Sequence, residues 1–193
     1  MRGGSRDSVR ALLVPRSPLH HLIEDALRFV HKGFARVAEL SPTRLNCSWV
    51  TEDLAVGGAF RSRHVPRLRA MGIDAVVDCR EEASDDEGAL ARHGIDYLRL
   101  PTPDARTLAQ PDLDRGVQWV KGRIALGRKV YIHCTHGVGR GPLLAACFLV
   151  SEGYSAADAL QMVRAKRWQA SPNEEQIDGL VTYAERHQAR ALQ

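Results

Sequence analysis

Residues 130–142, Val-Tyr-Ile-His-Cys-Thr-His-Gly-Val-Gly-Arg-Gly-Pro, constrain this chain more than any other stretch. They open as an apolar run of strand type and pass through a short loop holding Gly137 and Gly139. They then enter the apolar segment Leu143–Val150, which reads as a buried helix with Pro142 in its first turn. A strand, a glycine-bearing loop and a helix N-terminus together make an anion site, because successive backbone N–H groups point inward and the helix dipole adds partial positive charge. Cys134 opens the loop and Arg140 closes it, with five residues between. Amide donors around a cysteine favour the thiolate, which is the nucleophilic form. A guanidinium at the far end holds two phosphate oxygens at once, and the glycines let the backbone curl close to the ligand. The chemistry implied is attack by a cysteine on a bound phosphoryl group, giving a thiophosphate. The bland alternative is a buried structural cysteine beside a surface arginine.

The pattern His133-Cys134-x5-Arg140 resembles the signature of the protein tyrosine phosphatase superfamily, and the chain is similar to its compact dual-specificity branch. The resemblance implies an α/β fold with a short, mostly parallel central sheet, helices on both faces and an N-terminal helical extension. It implies hydrolysis of phosphate monoesters through a phosphocysteine, with Cys134 as nucleophile and Arg140 binding phosphate. The backbone of Thr135, His136, Gly137, Val138 and Gly139 would cradle the phosphate oxygens. His133 would fix the loop by hydrogen bonds, and no metal or organic cofactor is required. Relatives place Ser or Thr directly after the signature arginine, where the hydroxyl serves the sulfur; here the position is Gly141.

The reaction also needs an acid for the leaving oxygen. Pro101-Thr102-Pro103-Asp104-Ala105-Arg106 leaves the strand Ile95–Leu100 as a loop. Ligands meet loops at the carboxyl ends of parallel strands, so Asp104 shares an edge with Cys134. Family members carry their general acid at about this separation from the cysteine. Asp112 is the rival, but it sits after Pro111 in a helical first turn, where the dipole alone explains an acid. The segment Ser171-Pro172-Asn173-Glu174-Glu175-Gln176 is similar to the family's final loop and helix, although Trp168 stands where a proline follows the arginine in relatives. Gln176 therefore has two open readings: it orients water, or it caps a helix with Asn173 in a capping box.

The remaining elements follow from pattern. Two short strands flank Thr51-Glu52-Asp53, a short helix spans 61–71, and Ile73–Cys79 reads as a buried parallel strand. Short helices are expected over 84–93, 111–126 and 156–167, the last capped by Ser155. Cys79 has two open readings, a small apolar core residue or, as in some relatives, a thiol that protects the nucleophile by disulfide formation.

Composition bounds function further. Hydrophobic content is 44%, charged content 26%, net charge +4 and pI about 9.1. That balance suits an acidic ligand and is too small and dispersed for nucleic acid. Cys47, Cys79, Cys134 and Cys147 form no C-x-x-C pair and no zinc spacing, and a thiolate nucleophile calls for a reducing compartment, here the cytoplasm. No apolar run approaches the length of a membrane span. Three parts are expected: a disordered Arg-rich tail over 1–17, with a targeting presequence as the sharper alternative, an amphipathic helix over 18–43, and the phosphatase domain over 44–193. In the helix, Ile23, Leu27, Val30, Phe34 and Val37 form one stripe, with Arg28, Lys32 and Arg36 on another face. That helix packs on the domain or a second copy, or lies on a membrane surface. The substrates expected are proteins carrying phosphotyrosine, phosphoserine or phosphothreonine. The alternatives are a phospholipid of phosphatidylglycerophosphate type, or a phosphate-binding module with slow turnover.

Overall fold

The computed structural model describes Arg10, Ala26, Phe29, Val30 and residues 45–191. Strands β1 (Cys47–Trp49) and β2 (Leu54–Gly57) form a hairpin around the 51–53 turn. A 3₁₀ turn over Ser62–His64 leads into α1 (Val65–Ala70), and β3 (Ile73–Arg80), α2 (Glu87–Arg92) and β4 (Asp96–Thr102) follow. The second half runs α3 (Gln110–Ala125), β5 (Lys129–His133), α4 (Arg140–Ser151), α5 (Ala156–Lys166) and α6 (Glu174–Ala191). The sheet order is β1-β2-β5-β3-β4, and only the β1–β2 pair is antiparallel. Helices cover both faces, as the sequence implied.

Alternation along the strands sends side chains to two cores. Val130 and Ile132 of β5 join Val77, Leu144, Leu149, Leu160 and Leu180 in the larger one, under α3 to α6. Tyr131 turns the other way, to Val65, Leu68, Ile73 and Leu90 beneath α1 and α2. The central helix α4 is buried all round, from Arg140 to Val150. It is apolar on every side because it packs against α5, α6, α3 and the sheet at once. Truncating one of its fully buried leucines, Leu144→Ala, costs about 2–5 kcal/mol.

Several boundaries differ from the sequence reading: the helix expected over 61–71 is a 3₁₀ turn followed by a shorter helix, and two further shifts bear on the site. The strand β4 continues through Pro101 to Thr102 instead of ending at Leu100. It lies at the sheet edge, so the missing proline N–H deprives no neighbour. Helix α2 begins at Glu87, three residues later than expected, because Asp86 is its cap, accepting from Ala89 N at 2.8 Å. Ser155 caps α5 as expected, accepting from Asp158 N at 3.1 Å. Of the N-terminal stripe, Val30 is described and half exposed. Ile23, Leu27, Phe34 and Val37, and the basic positions Arg28, Lys32 and Arg36, lie outside the described residues. So does the 1–17 segment except for Arg10, which is helical and reaches Asp178 Oδ1 at 2.6 Å.

Candidate active site

The loop between β5 and α4, with Arg140 at the start of α4, carries every residue expected to hold phosphate. Its carbonyls account for its shape. Thr135 O accepts from Ala59 N at 3.0 Å, Val138 O from Ser171 N at 2.9 Å, and Gly139 O from Leu143 N at 2.9 Å. His136 O and Gly137 O accept from the buried Arg167 guanidinium at 3.0 and 2.6 Å. Carbonyls held outward leave the N–H groups to face the concave side, and Gly137 N lies 3.3 Å from Cys134 Sγ. Gly137 takes a φ of 69°, and a side chain there would meet the Gly57 carbonyl and Arg167.

Cys134 and Arg140 line one cavity of about 280 Å³ together with Asp104, Asn173, Gln176 and, from the N-terminal segment, Phe29. His136, Val138 and Gly139 line it too, whereas Thr135 and Gly137 do not. Arg140 is buried and its terminal nitrogens hold Glu82 bidentately, at 2.8 and 2.7 Å. Nη1 also donates to Thr102 O at 2.6 Å, and Nη2 to Asp104 Oδ1 and Thr135 Oγ1, each at 3.1 Å. Burial is the largest influence and opposes the Arg140 charge, but hydrogen bonding to Glu82 and the negative charges of Cys134, Glu82 and Asp104 together outweigh it and raise its pKa. The hydrogen bonds from Arg140, working against burial, hold the Glu82 carboxyl well below its usual range, at about 2. Glu82 takes the edge formed by the two terminal nitrogens. The Nε edge of Arg140 has no acceptor among the described residues, so it is the edge a phosphate would use.

Asp104 stands where the sequence put it, on the loop after β4, with its side chain about half exposed. Ala105 beside it has a φ of 64°, an uncommon conformation for a residue with a Cβ. The bend is pinned from α6: Asn173 Nδ2 donates to Ala105 O at 2.6 Å and Gln176 Nε2 to Arg106 O at 3.0 Å. The same two residues form the expected capping box, with Gln176 N to Asn173 Oδ1 at 2.9 Å and Asn173 N to Gln176 Oε1 at 3.0 Å. Asp112 is elsewhere, paired with Arg115 on α3.

His133 does not bond the loop. Its Nε2 lies 2.8 Å from Asp85 Oδ2, tying β5 to the segment before α2. Asp85 shares Arg80 with the buried Asp78: Arg80 Nη2 reaches Asp85 Oδ1 at 2.6 Å and Asp78 Oδ2 at 2.8 Å. Burial disfavours the Asp78 charge, but the Arg80 hydrogen bonds and the neighbouring His133 overcome it and lower its pKa. Asp78, Asp85 and His133 have ligand atoms within 4.8 Å of one another. The guanidinium of Arg80 already bridges the two carboxylates of this set.

Sequence reasoning missed Glu82 and Arg167. The signal for Glu82 was an acidic pair, Glu81-Glu82, at the carboxyl end of β3, the same edge that located Asp104. Arg167 carried no local signal beyond its place in the segment before the final helix.

Residues 56–186 match the dual specificity phosphatase catalytic domain. The chain is 27% identical over 124 residues to the phosphatidylglycerophosphate phosphatase PTPMT2 of Arabidopsis thaliana, covering 61% of this chain and 54% of that protein. It is 29% identical over 134 residues to the human protein tyrosine phosphatase type IVA 3, covering 68% of this chain and 76% of that one. The chain thus spans about half the length of the plant relative and three quarters of the human one. The crystal structure of Tk-PTP in its active form superposes with a TM-score of 0.69 at 29% identity, over 73% of this chain and 97% of that one. The chain belongs to the dual-specificity phosphatase family, a branch of the cysteine-based protein tyrosine phosphatases.

Proposed function

We propose that the chain hydrolyses phosphate monoesters on proteins bearing phosphotyrosine, phosphoserine or phosphothreonine, through a phosphocysteine on Cys134. The observation that carries this reading is the loop of outward-bonded carbonyls around Cys134, with Arg140 and Asp104 on the same cavity. Phosphate oxygens bind the amides of residues 135–140 and the free edge of Arg140. The thiolate attacks phosphorus in line as the P–O bond to the leaving group breaks, and Asp104 gives that oxygen its proton. Water then attacks the thiophosphate while Asp104 takes a proton from it. The S–P bond breaks, releasing inorganic phosphate and the thiolate. His133 and Gln176 act indirectly, through Asp85 and through the Asp104 loop.

A second reading, hydrolysis of a singly phosphorylated phospholipid, is favoured by the apolar Phe29 on the cavity wall and by the plant relative's activity. Among the described residues no helix is long and apolar enough to cross a membrane. A lipid substrate would therefore be reached from the membrane surface, with the 18–43 segment as the contact, and a protein substrate in the cytoplasm. Initial rates on phosphopeptides and on phosphatidylglycerophosphate in mixed micelles separate the two readings. The protein reading requires higher kcat/KM on phosphopeptides, and higher kcat/KM on the lipid overturns it. Cys134→Ser must abolish turnover while still binding vanadate; turnover in that variant would remove the mechanism. Wild-type binding without turnover on either class would leave a phosphate-binding module.

A further inference from the structure

Three guanidiniums are buried among the described residues: Arg80, Arg140 and Arg167. Arg80 has Asp78 and Asp85, and Arg140 has Glu82 and Asp104. Arg167 is fully buried and its acceptors are all neutral. They are the His136 and Gly137 carbonyls already described, Asn46 Oδ1 at 2.9 Å, Ser48 Oγ at 3.3 Å and Val56 O at 3.4 Å. Among the described residues no carboxylate touches it. A buried charge of this kind is costly unless something repays it. Burial pulls its pKa down, as expected for a cation whose neighbours are neutral. Arg140, meanwhile, faces the cavity with two carboxylates already on it. A phosphoryl dianion entering there meets a cation whose charge is offset.

We propose that Arg167 is a positioning residue of the anion site: it fixes the His136 and Gly137 carbonyls outward and supplies, from behind the loop, the uncompensated positive charge that Glu82 and Asp104 take from Arg140. The inference rests on the phosphatase reading of the same site. Its two parts separate chemically. The fork of donors turns the amides inward, and a lysine cannot span both carbonyls. The charge acts through the loop on any anion beside Cys134, whatever hydrogen bonds are made.

The test uses the whole chain and two alkylating probes of Cys134, anionic iodoacetate and neutral iodoacetamide, with labelling read by mass spectrometry. The ratio of their rates cancels the thiol's own reactivity and reports local potential. Arg167→Gln removes the charge. Asn46→Asp keeps the guanidinium but sets a carboxylate against it, and so decides the question even if Arg167→Gln does not fold. Asn46→Ala controls for the lost Asn46 Nδ2 bond to His136 O. The expected drop in the iodoacetate to iodoacetamide ratio for Arg167→Gln and Asn46→Asp is about tenfold, the order set by one unit charge behind the loop at an effective dielectric of about 20. Protection of Cys134 by inorganic phosphate should weaken in step. Arg167→Lys should keep the ratio and lose kcat on an aryl phosphate. An unchanged ratio in Asn46→Asp, or an equal drop in Asn46→Ala, overturns the proposal. So does a ratio that falls as far in Arg167→Lys as in Arg167→Gln. Absence of wild-type turnover would refute the phosphatase reading alone, because alkylation still reads the charge.

Discussion

Replacing Gly141 with serine tests the second chemical step. Relatives place a hydroxyl there, and in this chain Gly137 N–H is the hydrogen-bond donor to Cys134 Sγ among the described residues. Thr135 is the nearest hydroxyl in sequence, but it is occupied: it donates to Glu82 and accepts from Arg140 Nη2. A sulfur served by one backbone amide but lacking that hydroxyl is a poorer leaving group, so breakdown of the phosphocysteine should limit the wild-type rate. The site has room for the side chain. A Cβ on Gly141 would lie 3.6 Å from Cys134 N and from the His133 backbone, which is ordinary contact distance. A hydrogen bond to a charged partner contributes about 1.5–3 kcal/mol. If all of it is realised in the transition state for breakdown, the step accelerates about tenfold to a hundredfold. Stopped-flow hydrolysis of an aryl phosphate measures both steps at once. The wild type should release a burst of phenol equal to the enzyme present, followed by slow turnover. Gly141→Ser should shrink the burst and raise kcat. A wild-type trace without a burst, together with no gain in a folded Gly141→Ser variant, would show that another group already serves the sulfur.

Asp104→Asn should lower kcat strongly on alkyl phosphates and less on activated aryl phosphates, because a basic leaving group needs the proton most, while Asp112→Asn should change little; the reverse ranking would mean the acid lies elsewhere. Glu82→Gln should destabilise the fold at neutral pH and should also misplace Arg140, raising KM. Because the Glu82 pKa is depressed from 4.5 to about 2, its contribution is complete above pH 4.5 and is lost as pH falls toward 2. The Tm gap between wild type and Glu82→Gln should close across that window, and a gap independent of pH would refute the pairing as its source. Cys79 follows Asp78, which is in register with His133, so Cys79, inside β3, and Cys134, just past β5, lie side by side along neighbouring strands. Mild peroxide should give a Cys79–Cys134 disulfide by condensation of a sulfenic acid on Cys134 with the Cys79 thiol. Peptide maps showing sulfinic Cys134 with Cys79 still free would count against it.

What could be read from the sequence was what the chain codes locally. The loop from Cys134 to Arg140 is contiguous, so its spacing displayed the anion site directly. Ser155 and the Asn173–Gln176 box are caps whose partners lie three residues away. Asp104 was found through topology, since a parallel strand fixes which end its loop leaves from. Glu82 and Arg167 were not found, because each acts across a long sequence separation. Glu82 meets Arg140 58 residues on, and Arg167 meets the loop 30 residues back. The partner that makes each of them functional is supplied only by the folded sheet. The network of Asp78, Arg80, Asp85 and His133 was hidden differently. Asp78 sits in a strand whose apolar β-branched neighbours dominate the pattern, so a charge at a fully buried position reads as an exception until its guanidinium partner is seen.

Gln176 makes the expected cap and a second contact that the sequence did not suggest. Its oxygen closes the cap of α6 while its nitrogen holds Arg106 O, and Asn173 likewise holds Ala105 O. The cap therefore fixes the loop that carries Asp104, while Gln176 itself packs against Gly139 of the signature loop. A helix terminus that must be satisfied anyway becomes the clamp on the acid. A local capping signal thus falls on a residue that also lines the cavity.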